Sequence, residues 1–143
     1  MPDSIDAKES EYLYVKTSQL PNAGKGLYTS IDIFKGEVIS LFKGKRLSEQ
    51  EAATLAQQNK DCYFINMLDG TILDSQKVHC FAKYANDSQG PGKTQFSYNA
   101  KISLDDEERV CLIALKKIKT GEEIFCSYGK KYWQKFKKNL NNV

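Results

Sequence analysis

Short apolar runs separated by turn residues dominate the chain, and one stretch carries a clear helical period. Tyr12-Leu13-Tyr14-Val15 predicts a strand, Asn22-Ala23-Gly24-Lys25-Gly26 a turn, and Leu27-Tyr28 the start of a second strand. Phe34-Lys35-Gly36-Glu37 is a further turn before the strand-like run Val38-Ile39-Ser40-Leu41-Phe42. Between Ser48 and Lys60 the period changes. Ser48-Glu49-Gln50-Glu51 fits a capping box, and Ala52, Leu55 and Ala56 recur on one helix face. Cys62 to Met67 and Thr71-Ile72-Leu73, joined at Asp69-Gly70, predict a hairpin. Residues 76–85 predict a short helix, and Gly90-Pro91-Gly92 marks a loop from Ser88 to Gln95. Asn99 to Ser103 and Arg109 to Ile118 predict strands around the acidic turn Asp105 to Glu108. Lys119-Thr120-Gly121 turns the chain into a last strand, Glu123 to Tyr128, and Lys131 to Asn139 predicts a terminal helix. Many short strands, frequent turns and few helices argue a β-rich α+β fold.

Size and composition narrow the classes. At 143 residues the chain is sized for one domain able to bury a core without disulfides or metal. No apolar run approaches the roughly 20 residues a membrane helix needs. Met1 to Glu11 is a polar arm without the apolar centre of a secretion signal. The expectation is a soluble, intracellular protein with no membrane partner. The four cysteines, Cys62, Cys80, Cys111 and Cys126, form no CxxC pair and sit among apolar residues, so they read as buried free thiols. With His79 the single histidine and no ligand spacing, no metal site is expected. The net charge of +3 is mild, but Lys130, Lys131, Lys135, Lys137 and Lys138 crowd the tail among Tyr132, Trp133 and Phe136. Such a tail reads as an amphipathic helix with a solvated lysine face, or as a contact for nucleic acid.

Two polar-aromatic segments stand apart from ordinary core. One is Lys83-Tyr84-Ala85-Asn86-Asp87-Ser88, followed after the Gly/Pro loop by Asn99. The other is Gly121-Glu122-Glu123-Ile124-Phe125-Cys126-Ser127-Tyr128-Gly129. With Gly24-Lys25-Gly26 they suggest a site assembled from distant parts of the chain. Their order, together with Phe42-Lys43-Gly44 and the hairpin from Tyr63-Phe64 to Ile72-Leu73-Asp74, resembles the SET domain of protein-lysine methyltransferases. Single motifs of this kind are weak, whereas several in order at suitable spacing are specific. The resemblance covers roughly residues 12–133, leaving 1–11 as the arm and 134–143 as a basic tail. It implies several small sheets, few short helices and a C-terminal pseudoknot, a threading that sequence patterns alone would not predict.

The resemblance also implies a chemistry. S-adenosyl-L-methionine would donate a methyl group to a lysine ε-amine of a protein or peptide, a histone tail among them. The amine must be neutral to attack, and a narrow apolar channel favours that form. Tyr128 takes the catalytic position, where its hydroxyl orients the amine and also borders the cofactor. Read without the motif, it is a buried strand tyrosine. Gly24, Lys25 and Gly26 let backbone approach the cofactor, or form a plain turn. Asn86 and Asp87 resemble the cofactor-contacting Asn-His pair with aspartate in place of histidine, or form an Asx turn. Tyr63 and Trp133 are further cofactor candidates, and equally packed aromatics. Phe42, Ile102 and Cys126 resemble walls of the lysine channel, where aromatic faces attract methylated ammonium. Cysteine at 126 leaves the number of methyls added open. The family's flanking zinc-binding cysteine clusters are not expected here, and Tyr132, Trp133 and Phe136 are expected to close the channel. Asp61, Asp69, Asp74 and the run Asp105 to Glu108 suit a basic substrate, although such a run is also an ordinary solvated turn. The other readings are a SET-like module that binds peptide or cofactor without turnover, and a basic nucleic-acid binder. A histone-directed enzyme would be nuclear, and otherwise the expectation is cytoplasmic.

Overall fold

The computed structural model describes residues 3–60, 64–66, 72–75, 77–88 and 95–127. The predicted tail helix, the Asp69-Gly70 turn and Cys62 lie outside them. Ten short strands, two α-helices and one 3-10 turn are present among the described residues. The strands are β1 (Asp3–Ser4), β2 (Leu13–Thr17), β3 (Lys25–Thr29), β4 (Glu37–Leu41), β5 (Lys45–Leu47), β6 (Phe64–Asn66), β7 (Ile72–Asp74), β8 (Ala100–Leu104), β9 (Val110–Ala114) and β10 (Glu123–Ile124). The helices are α1 (Glu9–Tyr12) and α2 (Glu49–Gln57), and the 3-10 turn is Ala82–Tyr84.

Three small sheets result: β1-β4-β9-β8, β10-β3-β2 and β5-β7-β6. The predicted hairpins form, with β8 antiparallel to β9 and β6 antiparallel to β7. All five residues of β9 are buried, as expected of a strand flanked on both edges and covered on both faces. Leu27, Ile33, Ile39, Leu112, Ile118, Ile124 and Cys126 are fully buried in one apolar cluster. Among the described residues, no helix is long and apolar enough to cross a membrane.

Two local expectations are corrected. The segment expected to be a loose polar arm is folded onto the first sheet. β1 pairs in parallel with Glu37 and Val38, and α1 follows it. The reason lies in β4, where the register slips between Val38 and Ser40 and leaves Ile39 as an extra residue. The Ile39 carbonyl accepts the Tyr12 hydroxyl at 2.7 Å, and Glu9 accepts Ser40 Oγ and the Leu41 N–H. Tyr12 is thus the end of α1, and β2 begins at Leu13. The second correction is the end of α2. Its capping box forms at Ser48 and Glu51, but the helix stops at Gln57. Asn59 turns left-handed at φ 60°, and the Lys60 N–H folds back to Leu55 O at 2.9 Å.

Candidate active site

The β3 edge is where distant segments meet. Asn86 Nδ2 donates to the Lys25 carbonyl at 2.9 Å across 61 residues of sequence. Asn86 also forms a parallel bridge with Phe125, and the Cys126 N–H donates to Asn86 O at 3.0 Å. On the other side of Phe125 stands Asn99. Its Oδ1 accepts the Phe125 N–H at 2.8 Å, and its Nδ2 donates to Glu123 O at 2.9 Å. The N–H groups of Asn99 and Ala100 both donate to Phe125 O. The segment Glu123–Cys126 is therefore held between Asn86 and Asn99. Residues 89–94, which lie between these two asparagines in sequence, are outside the described residues.

Glycines 24 and 26 play different parts. Gly24 has φ +72°, and a Cβ built on it would meet nothing within 4 Å, so this side of the turn is open. A Cβ on Gly26 would lie 2.3 Å from Glu123 Oε2. Gly26 is small because Glu123 packs there. Glu123 is 2% exposed and accepts from Ser18 Oγ at 2.7 Å, Gln19 N at 2.8 Å and Tyr28 Oη at 3.1 Å. Sequence reasoning gave Glu123 no role. The available signal was a carboxylate beside the apolar run Ile124-Phe125-Cys126, which is a buried polar residue in need of partners.

Asp87 is 4% exposed, and its Oδ1 accepts the Tyr98 hydroxyl at 2.7 Å. Burial, and then this bond to Asp87, pushes the Tyr98 hydroxyl up to about 12. Tyr98 was also missed, since a lone tyrosine before an asparagine carries no pattern. The Phe96 and Phe125 rings lie 5.2 Å apart. Cys126 is fully buried, and burial first, then the Asp87 charge, pushes its thiol far above the ordinary range. Phe42 and Cys126 belong to the central apolar cluster, and Ile102 packs against it. Cys80, Cys111 and Cys126 are all free and buried. Tyr63, Tyr128 and Trp133 lie outside the described residues, as do Asp61, Asp69, Tyr132 and Phe136.

The acidic run is a self-contained turn. Asp105 Oδ1 accepts the N–H groups of Glu107 and Arg109, and Arg109 Nε meets Asp105 Oδ2 at 2.8 Å. Arg109 Nη2 also lies 3.4 Å from Glu107.

The SET domain family profile matches residues 24–129, which takes in the β3 edge, Asn86, Asn99 and the Glu123–Cys126 segment. The chain belongs to the SET-domain family. Histone-lysine N-methyltransferase EZH2 of Chaetomium thermophilum is 29% identical over 123 residues, covering 78% of this chain and 8% of that protein. Histone-lysine N-methyltransferase SETD7 of Halocynthia roretzi is 23% identical over 128 residues, covering 86% of this chain and 33% of that protein. This SET domain thus spans a third or less of the length of these curated relatives. Among solved structures, ctPRC2 in an autoinhibited conformation bound to S-adenosylmethionine superposes with a TM-score of 0.66 at 27% identity, covering 92% of this chain and 17% of that one. Apo ctPRC2 in an autoinhibited state, at 24% identity and a TM-score of 0.69, shares the fold. The β-rich architecture of small sheets and few helices expected from the SET resemblance is the one observed.

Proposed function

We propose that this SET domain transfers a methyl group from S-adenosyl-L-methionine to the ε-amine of a lysine in a protein substrate. The observation that carries the reading is the meeting of Asn86, the Lys25 carbonyl and the Phe125–Cys126 backbone, on a segment that leads directly to Tyr128. Support comes from the relatives, which are named histone-lysine methyltransferases, and from a solved neighbour bound to the same cofactor.

The residues present fit such a cofactor. Its amino-acid part is a zwitterion, and the open side of Gly24, the exposed Lys25 and the Asn86 amide offer backbone, cationic and amide groups side by side. When bound, S-adenosylmethionine supplies an electrophilic sulfonium methyl. In this reading Lys25 and Asn86 hold its amino-acid end, with Tyr63 and Trp133 as further contacts. Asp87 contributes through its backbone, because its carboxylate is buried on Tyr98. Phe42, Ile102 and Cys126 line the lysine channel. An apolar wall disfavours the ammonium and leaves the amine neutral for attack. Tyr128 orients that amine, and alignment supplies much of the acceleration. The substrate is a lysine in an extended segment, a histone tail being the class the relatives' names point to, and a histone substrate implies a nuclear setting.

The test is methyl transfer to histones, peptides and a cell lysate, read by mass spectrometry. Wild type is expected to methylate lysine. Tyr128→Phe should lose turnover while keeping its cofactor affinity, and Asn86→Ala should weaken cofactor binding. Cofactor binding with no transfer to any lysine would overturn the proposal, as would turnover indifferent to Tyr128→Phe.

A further inference from the structure

We infer that Asp87 and Tyr98 are a positioning pair that holds the methyl-donor cradle in register by tying together the two asparagines that flank Phe125. The inference rests on the proposed function for its catalytic consequence, but not for its structural one. Asp87 follows Asn86, and Tyr98 precedes Asn99. The Tyr98 hydroxyl on Asp87 Oδ1, at 2.7 Å, therefore closes a ring. The ring runs from Asn86 through Asp87 and Tyr98 to Asn99, crosses to Phe125 through the Asn99 amide, and returns to Asn86 through the parallel bridge. Asn86 in turn holds the Lys25 carbonyl.

The Tyr98 hydroxyl also bonds the Ser127 side chain, so the tie reaches the chain just beyond Cys126 as well. Asp87 and Tyr98 stand 11 residues apart in sequence, and the bond joins them directly. Closing such a loop carries an entropy cost that a short bond from a phenol to a buried carboxylate offsets. The Phe96 ring against Phe125 is a second fastening from the same connection. The Asp87 side chain is nearly inaccessible and bonded to Tyr98, which suits an internal strut. Asp87 stands where the SET resemblance calls for histidine, and Tyr98 is the matching donor here.

Native-state hydrogen exchange tests the structural half on the intact chain without cofactor. In Tyr98→Phe, the Phe125 and Cys126 amides, which donate to Asn99 Oδ1 and Asn86 O, should exchange on the order of ten-fold faster. The Ile33 and Ile118 amides, which donate to each other's carbonyls across a separate bridge, should not change. This contrast separates local opening from a general loss of stability. Asp87→Asn keeps an acceptor oxygen and should stay within roughly three-fold of wild type, while Asp87→Ala should match Tyr98→Phe. With S-adenosylmethionine, Tyr98→Phe should raise KM on the order of ten-fold and leave kcat within about two-fold, and Asp87→Ala should raise KM to the same extent. Unchanged exchange at Phe125 and Cys126 in Tyr98→Phe overturns the inference, as does an equal rise at Ile33 and Ile118. If wild type binds no S-adenosylmethionine, the proposed function fails, and the exchange contrast still decides the pair.

Discussion

Gly26→Ala should destabilise the domain, although nothing in the backbone conformation forbids it. Among the described residues the positive-φ glycines are Gly24, Gly36 and Gly121, and Gly26 is not one of them. The obstacle is Glu123. A methyl at residue 26 would lie 2.3 Å from Oε2, 2.9 Å from Cδ and 3.2 Å from the Ser18 Cα. The last contact is backbone, and the carboxylate is pinned by Ser18 Oγ, Gln19 N and Tyr28 Oη. If Glu123 yields, it gives up a bond to a carboxylate worth about 1.5–3 kcal/mol. If it does not, overpacking costs about 1–3 kcal/mol. Alanine recovers about 0.4–1 kcal/mol through the unfolded chain. The net is a loss of about 1.5 kcal/mol, or roughly 6 °C in Tm for a domain of this size. Urea and thermal unfolding measure it. The diagnostic step is the double variant with Glu123→Ala, in which the added methyl has no carboxylate to strike. The penalty of Gly26→Ala should then shrink by at least about 1 kcal/mol, the coupling expected of residues in contact. A neutral Gly26→Ala, or a penalty that persists in full without the carboxylate, would show that Glu123 is not what keeps residue 26 small.

Asn99→Ala strips the acceptor from the Phe125 N–H and the donor from Glu123 O, both buried, and should cost about 3 kcal/mol in urea unfolding. Burial works against ionisation of Asp105, but the Arg109 N–H, the Arg109 side chain and the Glu107 N–H outweigh it and hold the carboxyl below its usual range. A folded-state pKa below the unfolded one means that this stabilisation is present above the unfolded value near 3.8 and is lost as pH falls through the folded value. Asp105→Asn should therefore lower the urea midpoint at neutral pH and flatten its decline in that acid window. Burial foremost pushes the Cys111 thiol up to about 11 and the Cys126 thiol higher still. Alkylation mapped by peptide mass spectrometry should leave Cys80, Cys111 and Cys126 unmodified in the native protein and label them once it unfolds. Prompt native labelling of Cys126 would contradict its place in the core.

Wherever the structure rests on local pattern, the sequence was readable. The capping box at Ser48 and Glu51, the β8–β9 hairpin around its acidic turn and the buried thiols all leave direct traces in neighbouring residues. Ordered motifs marked Asn86 and the Lys25 turn as candidates for one site, and these two segments do meet. What escaped was fixed by distant partners. The arm at 1–11 reads as polar and loose because its reason to fold is the extra residue in β4. Gly26 reads as a turn glycine or a cofactor contact because Glu123 lies nearly a hundred residues away, as the 95-residue separation of Tyr28 from Glu123 conveys. Nothing around Tyr98 announces that Asp87 will need a donor.

The same physics explains why an asparagine, and not a longer strand, secures the last segment. β10 is two residues long and runs antiparallel to β3, and the chain beyond it must pair in parallel with Asn86. A segment that changes partners after two residues cannot satisfy its backbone by continuing either ladder. Glu123 O and the Phe125 N–H would otherwise be buried polar groups, one an acceptor and the other a donor. The side chain that answers both must accept and donate at adjacent atoms. Asparagine does so at the shortest reach, whereas aspartate lacks the donor and leucine lacks both. Asn99 therefore stands in for a missing strand and holds the backbone at Glu123 and Phe125. Two bonds from one side chain set Phe125 against Asn86, so the proposed methyl-donor cradle depends on Asn99 although Asn99 is not among the residues proposed to touch the cofactor.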